Sequence, residues 1–360
     1  MTFKKRILLV IDLLNSGGAQ RQLVGLAKLL HERGHLVRVV SYIDMPFYKP
    51  YLDENRVDNK CIAGGDSKPN YRKVYKALKE EINSFKPSVI IAYLRFPSIL
   101  TSLIHRKDKS FKLIVSERNT TQKLDGLEKV KFWTYKWADI IVPNSHSQER
   151  FLLQHYPQYS NKISTITNFV DTDVFVPSQA IKTNPQPILL TVGRVMMQKN
   201  TIRYLNVVKR LKDAGICFKV LWYGDVTDAY YKECESVLKE NEIEDVFEFA
   251  GRSQDMVKVY QSADIFCLPS IYEGFPNVLC EAMSCGLPVL ASNVCDNPDI
   301  VDTSCGLLLD PLDENDMFNK LKIMLEKSEE ELKNYGEASR NRAIGLFSKD
   351  SFLTKYESLF

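Results

Sequence analysis

The 360-residue chain contains no run near the 18 or so consecutive apolar residues that a membrane-spanning helix needs, so nothing in it reads as an integral membrane segment. The apolar stretch Ile7–Ile11 behind Lys4-Lys5-Arg6 is too short for a signal peptide and is followed by no small-residue cleavage site. It reads instead as a first buried strand. None of the eight cysteines stands in a C-x-x-C pair and seven follow residue 216, which points to a reducing, cytoplasmic setting. Cys280, Cys285, Cys295 and Cys305 match no common zinc spacing and mostly sit in apolar runs, so they read as small buried hydrophobes. There is also no internal repeat and no low-complexity tract.

At this length one core stops growing, so two domains are expected. Charge divides the same way. Residues 1–175 carry 28 Lys+Arg against 17 Asp+Glu, a balance of +11, whereas residues 176–360 carry 20 against 28, a balance of −8. Such asymmetry means either attraction between the halves or a basic face for an anionic partner such as phospholipid, a pyrophosphate-linked lipid or nucleic acid. Apolar runs alternate with helical patterns from end to end, which argues for doubly wound parallel sheets. Expected strands are Ile7–Leu13, Leu36–Tyr42, Val89–Leu94, Lys112–Ser116, Ile140–Pro143 and Ile163–Thr167, then Ile188–Val192, Phe218–Tyr223, Phe247–Phe249, Asp264–Leu268, Pro288–Ala291 and Gly306–Leu309. Between the two sets, residues 176–187 (VPSQAIKTNPQP) hold three prolines and no periodicity and read as a linker. A charged helix is expected from Glu314 to about Arg342 and a last segment near Ser351–Leu359.

The most informative stretch is Pro269 to Gly286 (PSIYEGFPNVLCEAMSCG). A strand, a turn carrying Glu273 and a helix carrying Glu281 would set two carboxylates around one strand end. Open α/β sheets bind ligands there, and helix N-termini hold anions there. The run resembles the E-x(7)-E motif of the retaining family-four glycosyltransferases, which have the GT-B fold. The resemblance implies an α/β chain of two Rossmann-like doubly wound parallel-sheet domains facing a central cleft, with an acceptor domain at 1–175, a donor domain at 176–342 and a segment 343–360 that crosses back to the first. It implies that Glu281 holds the donor ribose, while Glu273 and the Gly274-Phe275-Pro276-Asn277-Val278 turn and helix start hold the transferred sugar.

Val192-Gly193-Arg194 followed by Lys199-Asn200 places two cations at the end of a strand, as a departing diphosphate requires. It resembles the family's G-R-x(4)-K-N element, in which Arg and Lys replace a metal, so no cofactor beyond a nucleotide-sugar co-substrate is expected. Gly17 and Gly18 after the first strand correspond to the family's Gly-Gly near the donor phosphates, and Gly251-Arg252-Ser253 to a loop that frames the base. The D-x-D string Asp171-Thr172-Asp173 could be taken for a metal site, but its surroundings resemble a family segment where the acids make turn and cap contacts.

Glu117, Arg118 and Asn119 follow another first-half strand, close to the sugar and acceptor by the resemblance. Many relatives have His near Arg118; a guanidinium suits an anionic acceptor or, equally, a salt bridge to Glu117 or another acid. In residues 70–85, Tyr71, Val74, Leu78, Ile82 and Phe85 recur at helical spacing and leave Arg72, Lys73, Lys76 and Lys79 outside, a basic face for an anionic membrane or only a solvated one. In residues 129–137 (KVKFWTYKW), most of the four rings are expected to pack under the sheet. The expected activity is transfer of a hexose or N-acetylhexosamine, from a UDP-sugar by preference, to a lipid-linked glycan at the inner membrane face, with no nucleic-acid partner. A small soluble acceptor and a non-catalytic nucleotide-binding subunit are the rival readings.

Overall fold

A computed structural model describes residues 4–118, 120–121, 123–179, 184–226 and 229–360. The chain divides into two compact units, Met1–Phe169 with Lys349–Phe360, and Val170–Ser348.

The first unit is built on a parallel sheet of β1 (Arg6–Val10), β2 (Leu36–Ser41), β3 (Asp58–Cys61), β4 (Val89–Tyr93), β5 (Lys112–Glu117) and β6 (Ile140–Pro143), in the order β3-β2-β1-β4-β5-β6. Ile7, Leu8, Leu9 and Val10 are all fully buried, because helices cover both faces of a parallel sheet and its central strands are apolar throughout. The strand order reverses between β1 and β4, and ligands of open α/β sheets bind outside the carboxyl ends of such strands.

The second unit repeats this plan with β7 (Ile188–Val192), β8 (Lys219–Tyr223), β9 (Phe247–Gly251), β10 (Ile265–Leu268), β11 (Val289–Ser292) and β12 (Gly306–Leu309), ordered β12-β11-β10-β7-β8-β9. Its switch falls between β7 and β10.

The structure departs from expectation in four places. Ile163–Thr167 is not a strand: Ile163 makes a single parallel bridge to Ile141. The sixth strand of that sheet is β3, Asp-Asn-Lys-Cys, which escapes notice because it is a polar edge strand paired only with β2. The units part at 169/170 and not 175/176: Arg340 donates to the carbonyls of Thr172 and Phe175, and Val170 N–H donates to Phe347 O, which ties residues 170–175 to the second unit. The expected helix from Glu314 to Arg342 is two helices, Glu314–Leu325 and Glu329–Phe347, split where Ser328 and Glu331 form a capping box. Ala343 and Phe347 lie in the second unit's core, so only the helix Lys349–Glu357 and the residues after it join the first unit. There Tyr356 Oη lies 3.1 Å from Tyr93 Oη, and Glu357 bonds His35 at 3.0 Å. No helix among the described residues is long and apolar enough to cross a membrane.

Candidate active site

In the second unit, the loops leaving β7, β8 and β10 are sewn together by backbone bonds. Ile271 N–H donates to Gln198 O (2.8 Å) and Gln198 Nε2 to Tyr272 O (2.8 Å), joining the β7 and β10 loops. Val195 N–H donates to Asp225 O (2.9 Å) and Trp222 Nε1 to Gly193 O (2.7 Å), joining β7 to β8. The two glycines here are steric necessities: a Cβ on Gly224 would stand 2.0 Å from Gly193 O, and one on Gly193 would stand 2.8 Å from Lys199 Cε.

This sewing brings Lys199 and Glu273, 74 residues apart, into an ion pair of 2.6 Å with side chains only 12% and 9% exposed. Arg194, by contrast, is exposed and makes no hydrogen bond or ion pair among the described residues. The same strand end thus carries one committed and one uncommitted cation. Gly274, Phe275 and Pro276 lead into the helix Asn277–Ser284, which starts without a side-chain cap; the Asn277 amide donates to Phe275 O (2.9 Å) and that of Leu279 to Pro276 O (3.0 Å), and the positive end of the helix dipole stands at the loop that carries Glu273. Within that helix Glu281 is buried and its Oε2 accepts from Tyr260 Oη at 2.9 Å. The hydroxyl fixes the carboxylate from a neighbouring helix, Met256–Ser262.

Arg252 stands at the end of β9, but its guanidinium is bonded through both Nε and Nη2 to the carboxylate of Asp225. Those bonds, first of all, hold the Asp225 carboxyl below its ordinary pKa, with the Arg194 charge adding to the effect. Ser253 Oγ is spent on the Asp255 amide. Asp171 Oδ1 accepts the Asp173 amide at 3.2 Å, a turn contact, and among the described residues no group of three or more His, Cys, Asp or Glu could hold a metal ion.

In the first unit, Gly17 occupies the N-cap position of the helix Gly18–Glu32, again with no side-chain cap. Close to the ends of β1, β4 and β5 lies a pocket of about 490 Å³ walled by Asp12, Arg95, Phe96, Glu117, Arg118 and Lys131, among others. Glu117 is buried and saturated: Lys131 Nζ donates to it at 2.7 Å and Tyr135 Oη bonds it as well. Arg118 is buried and has no acidic partner among the described residues. It donates to Asn168 Oδ1 and Ser116 Oγ and lies 4.7 Å from the Tyr93 ring centroid, while its Nε has no hydrogen-bond partner. Of the two roles left open for Arg118, the salt bridge is not formed among the described residues, where Lys131 holds Glu117. Asn119 lies outside the described residues.

Most of the pocket residues were not picked out as site residues from the sequence, Asp12 and Lys131 among them. Asp12 follows the first strand, where a carboxylate should have drawn notice; burial raises its pKa. Lys131 sits in a run that looked aromatic and structural. Arg72, Lys73, Lys76 and Lys79 are all exposed on the helix Tyr71–Phe85. Of the four rings in residues 129–137, Phe132 and Tyr135 are fully buried and Trp133 is 52% exposed, so the expected packing holds for only part of the segment.

Two Rossmann-like units, with cations and paired carboxylates at the switch point of the second, define the GT-B class of glycosyltransferases. A model described as Glycosyltransferase Family 4 matches residues 16–174, and one described as Glycosyl transferases group 1 matches residues 176–342. The chain belongs to this family and is a glycosyltransferase. It is 25% identical over 340 residues to the amylovoran biosynthesis glycosyltransferase AmsD of Erwinia amylovora, with 93% of each chain covered. It is 26% identical over 338 residues, 89% of each chain, to a Campylobacter jejuni GalNAc-alpha-(1->4)-GalNAc-alpha-(1->3)-diNAcBac-PP-undecaprenol alpha-1,4-N-acetyl-D-galactosaminyltransferase. In fold it is similar to a glycosyltransferase from Rickettsia africae (TM-score 0.85, 20% identity, 99% and 98% covered) and to Anabaena Alr3699/HepE in complex with UDP (TM-score 0.83, 16% identity, 98% of each).

Proposed function

We propose that the protein transfers a hexose or N-acetylhexosamine from a UDP-sugar to a lipid-linked glycan, with retention of anomeric configuration and without a metal. The observation that carries this reading is the pairing of Lys199 with Glu273 beside the uncommitted Arg194, at a strand end that leads into an uncapped helix. In this reading Arg194 and Lys199 stabilise the charge that develops on the diphosphate as it departs. Glu273 orients the sugar and Glu281 accepts the ribose hydroxyls. The bond from the anomeric carbon to the phosphate oxygen breaks, the acceptor oxygen bonds that carbon on the same face, and the acceptor proton passes to the leaving phosphate.

The first unit takes the acceptor in the pocket beside Asp12, where the buried Arg118 Nε favours an anionic or oxygen-rich group. Support for a lipid-linked acceptor comes from the undecaprenol-linked substrate named for the Campylobacter relative, and for UDP from the Anabaena complex. Attachment is peripheral, at the cytoplasmic membrane face. The test is incubation with UDP-sugars and polyprenyl-diphosphate glycans, with the product linkage read by NMR. An α-linked product from an α-linked donor supports the reading; an inverted linkage, or activity only on small soluble acceptors, contradicts it.

A further inference from the structure

The helix Gly126–Thr134 in the first unit has its polarity reversed. Surface helices bury an apolar stripe and expose charge. Here Glu128 and Lys131 are buried at 9% and 5% exposure, while Leu127, Val130 and Trp133 stand 47%, 46% and 52% exposed at three-residue spacing on the outer side. The rotation of the helix is locked. Lys131 Nζ bonds both Glu117 (2.7 Å) and Glu128 (2.6 Å), Arg95 Nε bonds Glu128 (2.7 Å), and Asp125 caps the Glu128 amide (2.7 Å). Turning the apolar side inward would break this buried ionic set, and a buried charge that loses its partner is costly. The apolar face is therefore held outward.

Its surroundings are cationic and aromatic. Trp133 packs edge-on to Trp137 (4.8 Å between centroids), Lys136 Nζ sits 3.8 Å from the Trp133 centroid, and the Arg106 guanidinium lies 5.0 Å from that of Trp137. Lys109 reaches the Trp137 carbonyl, and Lys129 is exposed on the helix itself. The exposed acids here are themselves paired, Asp125 with Arg95 and Asp139 with His105.

We infer that this face docks on the headgroup layer of an anionic bilayer, with Leu127, Val130 and Trp133 inserted among the headgroups and Arg106, Lys109, Lys129 and Lys136 around them. Tryptophan and leucine backed by lysine are the composition that binds a bilayer interface, and the cations supply the charge complementarity that selects anionic lipid. The helix Tyr71–Phe85 differs: its exposed residues are charged or polar, and its large apolar side chains are turned at least partly inward. It can attract a membrane but has nothing to insert. The inference deepens the lipid-linked-acceptor reading and rests on it for its purpose, since the inner face of the docking helix walls the acceptor pocket through Glu128 and Lys131.

The experiment is co-sedimentation of the full chain with phosphatidylcholine vesicles, with and without phosphatidylglycerol. Wild type should bind the anionic vesicles. The triple variant Leu127→Ser/Val130→Ser/Trp133→Ser should partition roughly tenfold less or weaker still, the equivalent of one well-buried apolar side chain. Quadruple substitution of Arg72, Lys73, Lys76 and Lys79 by Ser should cost less. In a Trp137→Phe background, tryptophan emission should shift to the blue on vesicle addition with Trp133 present and not in the triple variant, because the remaining Trp222 is fully buried and does not respond. Unchanged circular dichroism and unchanged stabilisation by UDP in the triple variant keep folding and donor binding separate from docking. Equal binding by wild type and triple variant overturns the inference, as does failure of wild type to bind anionic vesicles. Self-association that the triple variant abolishes, without vesicle binding, assigns the face to a second copy and also overturns it.

Discussion

Breaking the Lys199–Glu273 pair from either side should destabilise the second unit, whereas removing both charges together should not. The pair spans 2.6 Å with roughly nine-tenths of each side chain out of water. Deleting one member of such a pair strands a desolvated charge, at a cost of about 3–5 kcal/mol. The remaining exposure places this case near the lower end, about 3 kcal/mol. For a unit of this size that is a melting-point drop of roughly 6–12 °C. Lys199→Met with Glu273→Gln leaves no charge to strand and preserves shape, so the double variant should melt within about 1 kcal/mol of wild type and the cycle should show a coupling of about 5 kcal/mol. The readout is Trp222 fluorescence in a Trp133→Phe/Trp137→Phe background, since the chain has three tryptophans and Trp222 donates to Gly193 O beside the site. Single variants costing under about 0.5 kcal/mol, or additive costs, would refute the argument that this is one desolvated electrostatic unit.

Glu281→Ala should weaken UDP binding by about tenfold or more, the worth of a hydrogen bond to a charged group, and cost about 1–3 kcal/mol of stability by orphaning the Tyr260 hydroxyl; Glu273→Ala should mainly lower turnover, which parallel calorimetry and initial rates would separate. On the proposed reading, in which Arg194 and Lys199 stand in for a cation, activity should survive EDTA; complete loss restored by manganese would return Asp171 and Asp173 to consideration as ligands. The first unit should lose stability as pH falls below about 6.5, the ordinary histidine value. Burial lowers the pKa of His105, and the Asp139 carboxylate at 2.9 Å offsets this only in part. The folded state then binds fewer protons than the unfolded one, so stability is present above that pH and lost below it. His105→Gln should flatten the dependence in urea titrations.

The strands of both sheet centres were readable because burial on two faces forces continuous apolar runs, as in Ile7–Ile11 and Val89–Tyr93. The Asp58–Cys61 strand was not, since an edge strand has no such run to show. Local motifs placed Glu281 on a helix and Arg194 and Glu273 on the loops that leave β7 and β10, whereas Lys199 ends a short 3-10 helix, Met197–Lys199, that the motif did not show. Their partners were not legible: the bond from Tyr260 to Glu281 spans 21 residues and the pair from Asp225 to Arg252 spans 27, and neither leaves a periodic trace. The reversed polarity of Gly126–Thr134 was hidden for a related reason. Which side of a helix faces inward was read from its rings, whereas the buried acids Glu117 and Glu128 decided it through Lys131.

Titration of the full chain with UDP, with the second unit's melting transition followed in wild type and in Arg194→Ala/Lys199→Ala, tests the central claim most directly. At a hundred times its dissociation constant UDP adds about 2.7 kcal/mol, which should raise that transition by roughly 5–10 °C in wild type and leave it nearly unmoved in the double variant. An absent shift in wild type, or an equal shift in both proteins, would contradict the assignment of this strand end as the diphosphate site.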